Sequence, residues 1–570
     1  MSWIVGMIGD AIPEFEQKAI LSRYKHSGNT VRIQETFLAV AGGNTETSFS
    51  HTDDSLSILV AGIGILRSST FSSILTAQDW VKRLTPEIPV IGDLNGHFII
   101  LRYRNGILEC FSDKVGLRTL YAAKTHFGWV FGTQLDAVCS LLPSTSIDWN
   151  TFGSRWLCVQ QCSHESPVNG IRKLPPNGTF RITAKEIAVS TTPWLSHTAA
   201  PSSPQQTIEL LRSLITVRDT TMSLGLSGGL DSRVLLALLA SSGQPYSTYA
   251  FGGSNEPDVA LAERICRAEG IRFRHIEESF PSADQCVSMM QEYVRRTHLV
   301  EGAASSVRLR YYSALRESNS IMIDGGNGEI LRRQFLRRIS FYAKDDLVHR
   351  RTDRLLPYFL FRRADIFNKE ISARMHEGAA ADLDRSLQSL PSPQVIGEEN
   401  FLDAWTITTR IPIVACDEQA RIDESAINFM PFSQPSVLQS AILLPLTERR
   451  NNRFSKKIIR TYSPSLSRYP LVKNGIAYSY RLTTLQSRLW TAIHSRFDRR
   501  DREADLRLFL NTVREYALDT VHSKETRNYA PYQYDKVLKI VTGYYDGEKQ
   551  YARELNWWLA FDVWRRGVEK

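Results

Sequence analysis

The feature that most constrains this chain is MSLGLSGGLDSRVLLALLA, residues 222–240, where an apolar strand-like run turns through Ser227, Gly228, Gly229, Leu230, Asp231 and Ser232 into an amphipathic helix. Strand, glycine turn and helix in that order make an anion cradle. Gly228 and Gly229 let the backbone approach a phosphate chain that a Cβ would obstruct. The backbone amides, the Ser227 and Ser232 hydroxyls and the positive end of the helix can then hold a pyrophosphate. The loop is not of the Walker A kind, because it lacks the GxxxxGK[ST] spacing and its lysine. An acid inside a phosphate loop would be repelled unless a cation lay between them, so Asp231 points to bound Mg²⁺. The bland reading is a Gly-Gly turn ahead of a helix capped by Asp and Ser.

Two more segments fall where an open α/β sheet binds ligands, beyond the carboxyl ends of its strands. YSTYAFGG ends a strand at Phe251 and Gly252, suited to a base-edge contact, and SIMIDGGNGE ends one at Asp324 and Gly325. Glu329 stands just beyond the latter, placed to share a metal with Asp231. These strands alternate with helix-period runs such as DVALAERICRAEG, which implies βαβ units and a parallel sheet covered on both faces. From about residue 345 the pattern is almost wholly helical and ends in YARELNWWLAFDVWRR, an aromatic stripe read as core.

Residues 1–195 read differently, as short β-like runs (WIVGMI, SILVAGIGIL, HFIILRY, GILECF, GWVFGT, GTFRIT) between turn signals. SHTAAPSSPQQ, residues 196–206, has the small, polar composition of a linker, so the domains expected are 1–195 and 207–570. With 570 residues, two domains are the default.

A net charge of +9 among 129 charged side chains is a small excess that suits a solvated surface, so no nucleic acid is expected. Seven cysteines without paired CxxC spacing read as reduced thiols, and Cys158 with Cys162 lacks the second pair that a zinc site needs. No apolar run reaches ~18 residues and Met1 is not followed by a basic n-region. The expectation is a cytoplasmic protein with no membrane partner.

At this point the sequence resembles the class B asparagine synthetase family over nearly its whole length. DLNGHFIILRY, DKVGLRTLY, FGTQLDAV and GIRKLPPNGTFRI are similar to successive segments of that family's glutaminase domain, and SGGLDS resembles its PP-loop. AFG, IDGGNGE, NFMPFSQPSVLQSAILLP and NRFSKKIIR follow in the family's order. The resemblance implies a glutaminase-like (Ntn-type) β-sandwich followed by a PP-loop ATP pyrophosphatase α/β domain with a helical tail. By position it implies ATP contacts at Leu226, Ser227, Gly228, Gly229, Asp231, Ser232, Phe251, Asp324 and Gly325, with Mg²⁺ on Asp231 and Glu329. Lys473, in YPLVKNG, falls on the lysine that stabilises charge on the adenylate and in amide formation, a task an ammonium can perform by preorganised electrostatics.

The departures shape the rest. A glutaminase of this type needs an amino-terminal Cys, and the position holds Ser2; the family's substrate-binding segments are replaced by AGGNTETSFSHTDD and LVAGIGIL. The first domain therefore reads as a scaffold, and the amine must come from elsewhere, most simply the substrate. β-Lactam synthetases carry a tyrosine where this chain has Gly326, whereas Glu329, YPLVKNG and the tryptophan-rich tail resemble lasso peptide cyclases. That resemblance implies a precursor peptide whose Asp or Glu side chain is adenylated and joined to its own freed amine, with a leader peptidase or maturation protein as a further partner. A small-molecule asparagine or β-lactam synthetase remains the alternative among ligases. A catalytically inactive peptide-binding scaffold is the alternative from another class.

Overall fold

The two halves are paired by different rules. A computed structural model describes residues 2–570 apart from 25–27, 160, 197–200, 318–319, 333–336, 417–418, 420–421, 424, 499–500 and 502. In the first half the strands are β1 (Trp3–Gly9), β2 (Gly28–Ile33), β3 (Phe37–Gly42), β4 (Ser48–Thr52), β5 (Ser57–Arg67), β6 (Ser72–Ile74) and β7 (Asn95–Arg104). They continue with β8 (Ile107–Ser112), β9 (Tyr121–Lys124), β10 (Gly128–Gly132), β11 (Ile171–Lys173), β12 (Gly178–Ile182) and β13 (Ile187–Thr191). These form two antiparallel sheets, ordered β11-β9-β10-β1-β3-β2 and β13-β12-β8-β7-β5-β4, with β6 on β5. Ile4, Ile8, Phe37 and Ala39 of one sheet meet Leu59, Ala61, Ile99 and Leu101 of the other in a single buried cluster, with the period of two that a sandwich requires. Strand β5 reads as a continuous apolar run because its outer face is covered too, by Trp80 and Leu84 of a short helix.

The second half holds a parallel sheet of β14 (Thr221–Gly225), β15 (Tyr246–Phe251), β16 (Phe273–Ile276), β17 (Ser320–Ile323) and β18 (Asn428–Phe429). Its order is β16-β15-β14-β17-β18. The chain winds outward from β14 to β16 and then returns to lay β17 on the other side. The carboxyl ends of β14 and β17 thus flank a topological switch point, the crevice where such sheets take ligands. The helices used below are α1 (Trp149–Leu157), α2 (Pro204–Ile215), α3 (Leu230–Ala240), α4 (Pro257–Glu269), α5 (Arg453–Tyr462), α6 (Thr484–Ser495) and α7 (Ala552–Val568).

Two expectations change, and the helical reading of the last region gains a hairpin. Helix α3, read as amphipathic, is apolar on all sides and enclosed, with Val234, Leu235, Leu236, Leu238 and Leu239 fully buried. Of the expected linker 196–206, residues 197–200 lie outside the described residues, and Pro204 already starts α2, where Ser203 and Gln206 form a capping box that the polar composition concealed. The region beyond 345 is helical except for β18 and an antiparallel hairpin, β19 (Leu471–Lys473) and β20 (Ile476–Tyr478). The aromatic tail is core as expected: Trp564 stacks on Phe152 of α1 at 5.1 Å, and Phe561 packs on Trp156. All seven cysteines are buried and free, and among the described residues no helix is long and apolar enough to cross a membrane.

A buried polar clasp around Ser2 joins the halves. Ser2 is fully enclosed; its N–H donates to Asp423 Oδ2 at 3.2 Å and its carbonyl accepts from Arg118 Nη1 at 2.9 Å. Arg118 also pairs with Asp423 and donates through Nε to His97 Nδ1 at 3.0 Å, which leaves the His97 Nε2 proton for the Asn428 carbonyl at 2.8 Å. Burial, with the Arg118 charge beside it, lowers His97 to about 4, so the ring is neutral at physiological pH. Removing one partner of a buried ion pair strands the other. Arg118→Met is expected to cost about 3 kcal/mol or more, read as an earlier urea midpoint with circular dichroism; an unchanged midpoint would show that the clasp contributes nothing.

Candidate active site

Beyond the carboxyl ends of β14, β15 and β17 lies a cleft of about 710 Å³, within the size range of small-molecule and cofactor sites. Leu226, Ser227, Phe251 and Asp324, all expected from the sequence, line it. Its aromatic wall was not foreseen in full. Phe251 stacks on Tyr311 at 5.2 Å and meets Tyr249 and Tyr312 edgewise or tilted. Burial first, and the Asp324 carboxylate second, push the Tyr249 hydroxyl well above its ordinary range, so it remains a neutral donor. Asp505, Leu506 and Asn556, from the helical tail, complete the lining.

The glycine loop is held by side chains at each amide. Gly228 N–H donates to Asp258 Oδ1 of α4 at 2.8 Å, and the N–H groups of Ser227 and Gly229 donate to the Ser232 and Ser227 hydroxyls, both at 3.2 Å. The amides expected to cradle phosphate are therefore bonded within the protein in this structure. The Asp258 oxygen therefore takes up the Gly228 amide, and the two serine hydroxyls lie 3.0 Å apart. Gly229 is the N-cap of α3, so the positive end of that helix faces the loop.

On the first turn of α3, Asp231 pairs with Arg332, a residue the sequence reading did not single out. Burial raises the Asp231 carboxyl to about 6, with Arg332 working against the rise and Glu329 adding to it. Gly328 makes the approach possible, since a Cβ there would collide with the Asp231 carboxyl. Asp231 and Glu329 are thus brought within electrostatic reach on neighbouring segments, with Arg332 as the cation paired to Asp231. Their hard carboxylate oxygens are donors suited to Mg²⁺, which at Asp231 would have to share the carboxylate with Arg332. Gly325 packs directly beneath, where its own Cβ would lie 2.7 Å from the Ser232 nitrogen.

Lys473 is exposed and does not line the cleft. It sits on β19, and the tight β19–β20 turn places Asn474 and Gly475 at φ of 50° and 75°, as a two-residue primed turn demands. Its neighbour Val472 donates N–H to the Gly228 carbonyl at 2.8 Å, hooking the hairpin to the loop. A second fastening is Arg233, fully buried in α3 next to the loop's own Ser232. Its guanidinium donates to the carbonyls of Tyr469 and Pro470 at 3.0 and 2.7 Å and, more loosely, Leu466. Burial lowers Arg233 to about 10, so the cation persists at neutral pH. Its place inside SGGLDSR gave no hint of this. The Asn-Gly pair after Lys473 was the available signal for the hairpin.

Comparison with known families gives one match. Residues 210–328 match the model of the family described as asparagine synthase, about a fifth of the chain. That segment holds the glycine loop, Phe251, Asp324 and Gly325; it ends one residue before Glu329 and does not reach Lys473. The chain thus carries an asparagine synthase domain, that of an ATP-dependent carbon–nitrogen ligase. No curated protein matches the sequence. Among solved structures, glutamine phosphoribosylpyrophosphate amidotransferase from B. subtilis, complexed with ADP and GMP, is 12% identical with a TM-score of 0.20, covering 60% of this chain and 72% of that one. A second, described as the allosteric regulatory enzyme of purine biosynthesis, is 13% identical with the same coverage and TM-score. Overlap that slight bears on neither fold nor function.

The hook between hairpin and loop is open to test. An alanine Cβ at 228 would lie 2.6 Å from Val472 Cβ and push the hairpin off the loop. Gly228→Ala and, independently, Arg233→Met should speed hydrogen exchange at the Val472 amide and lower ATP turnover by about a hundredfold, the cost of an ångström-scale misplacement. Wild-type exchange at that amide in both variants would refute the hook.

Proposed function

From an asparagine synthase domain in residues 210–328, we propose that this chain is a lasso peptide cyclase-like macrolactam synthetase. ATP binds in the cleft, its base against the Phe251 wall and its phosphates toward Ser227, Gly228, Gly229 and Ser232 at the α3 terminus. A side-chain carboxylate of an Asp or Glu in a precursor peptide attacks the α-phosphorus, forming the acyl-adenylate and releasing pyrophosphate. The peptide's free α-amine then attacks the activated carbonyl, AMP departs, and an amide closes the ring. Asp231 and Glu329 would hold Mg²⁺, which when bound supplies charge neutralisation for the polyphosphate.

The observation that carries this reading is the Val472–Gly228 hydrogen bond of 2.8 Å, which makes the lysine hairpin and the phosphate loop one unit. A lysine so anchored presents its ammonium to charge that develops at the α-phosphate and at the carbonyl oxygen, with its backbone already ordered before substrate arrives. Arg332 neutralises part of the Asp231 charge and keeps the loop from repelling an incoming anion. The enclosed Ser2, with its N–H on Asp423 and its carbonyl on Arg118, supports an amine source other than glutamine. A maturation protein that frees the peptide amine is the partner this chemistry calls for.

Labelled ATP incubated with the protein and its peptide substrate should yield AMP and pyrophosphate, and release of ADP would sink the adenylation scheme. Lys473→Met should lower turnover by about a hundredfold or more while ATP affinity changes by no more than a few fold, because the ammonium acts on charge that forms during reaction.

A further inference from the structure

Helix α6 is amphipathic with its faces reversed. Thr484 and Ser487 are buried against the protein, whereas Leu485, Leu489, Ile493 and the following Phe497 are 68%, 57%, 54% and 77% exposed. Their spacing of four puts them in one stripe along the helix, and Trp490 stands beside it, 42% exposed. The inward hydroxyls satisfy themselves on the helix backbone, Ser487 on the Thr484 carbonyl at 3.0 Å and half-buried Thr491 on that of Ser487 at 2.9 Å. Nothing in this arrangement is an accident of fraying, because a capping box at Thr483 and Gln486 fixes the start of the helix. A soluble surface gains by turning such a helix over; this one is held with its apolar side out.

The charge around the stripe narrows what covers it. From Ser479 to Phe497 the chain carries Arg481, Arg488 and Arg496 and no Asp or Glu. Helix α5, which meets the chain just ahead of α6 at Tyr480 and Leu482, adds exposed Arg453, Lys457 and Arg460, and Arg460 is close enough to act on Tyr480. A second copy of this chain would bring these cations face to face. A protein partner in stable contact needs about 800 Å² from each side, more than a single file of side chains on a convex helix offers. Leucine, isoleucine, tryptophan and phenylalanine on one face with arginines along its borders are what a helix lying in a headgroup layer presents.

We infer that α6 seats this protein on an anionic lipid surface, with Leu485, Leu489, Ile493 and Phe497 in the acyl boundary and the arginines on lipid phosphates. The sequence expectation of no membrane partner rested on the lack of a spanning segment, and a helix lying in the surface needs none. Trp490 Nε1 donates to the Ala477 carbonyl of β20 at 3.1 Å, so the seat is joined to the hairpin that carries Lys473. An apolar peptide held at the bilayer would arrive beside that hairpin.

The test uses the full-length protein and sedimented vesicles of phosphatidylcholine, with and without about one-third phosphatidylglycerol; it does not depend on the ligase reaction. Wild type should pellet with the anionic vesicles only, and less as salt screens the arginines. Leu489→Glu with Ile493→Glu should reduce partitioning by at least about tenfold with circular dichroism and ATP binding unchanged; Arg488→Glu with Arg496→Glu should reduce it with the stripe intact. The inference fails if wild type stays in the supernatant, or if the Leu489/Ile493 variant pellets as wild type does. It fails equally if sedimentation velocity shows a dimer, or a tightly held partner protein, that the same variant releases.

Discussion

One backbone hydrogen bond, from Val472 to Gly228, decides whether the parts of this site are a site at all. Lys473 and the glycine loop are separated by more than two hundred residues, and nothing local to either brings them together. A lysine side chain has four rotatable bonds and a hydrated head, so its contribution depends on how firmly its Cα is placed. Here the Cα is placed by a short hairpin whose neighbouring strand residue is tied to the loop itself, and by Arg233, which ties the preceding turn to α3. The loop, the helix and the hairpin share their main-chain bonds, so a displacement of one displaces all three.

Electrostatics follow from that compactness. Asp231 is enclosed because Gly328 lets the β17 loop close over it, and enclosure is what raises its carboxyl to about 6. Arg332 then sits on it as a counter-charge. Asp258 plays the complementary part on the Gly228 amide, an anion already at the loop where an anion is wanted. That bond and the two serine hydroxyls hold the loop in one shape without any ligand.

Much of this was legible before any coordinates. The strand–turn–helix at 222–240 and the strand ends at Phe251 and Asp324 follow from local pattern, because strand ends and glycine turns are coded within a few residues. The residues that were missed are those whose role is set across the fold. Arg233 looks like a polar residue in a helix until the carbonyls of 469 and 470 are seen to converge on it; Asp258 looks like a first-turn acid; Tyr311 and Tyr312 lie in a segment whose period gives no sign that it walls a cleft. Helix α3 was misjudged as half-exposed because the packing that surrounds it comes from α5 and the residues before β19, more than two hundred positions away. Two errors were local and avoidable: Ser203 with Gln206 is a readable cap, and Asn474-Gly475 a readable turn.

The tail helix α7 touches everything late. Its Trp564 and Phe561 complete the aromatic core that α1 begins and that also includes Val5 and Met7 of β1, while its Asn556 forms part of the cleft wall and accepts the Ala304 amide at 2.7 Å. The sandwich and the parallel sheet can therefore pair while the chain is still being synthesised, but the outer core of the first and part of the cleft wall wait for α7 to emerge. A chain that stops short of α7 would therefore lose the aromatic core and part of the cleft wall together, so the two cannot be separated by truncation.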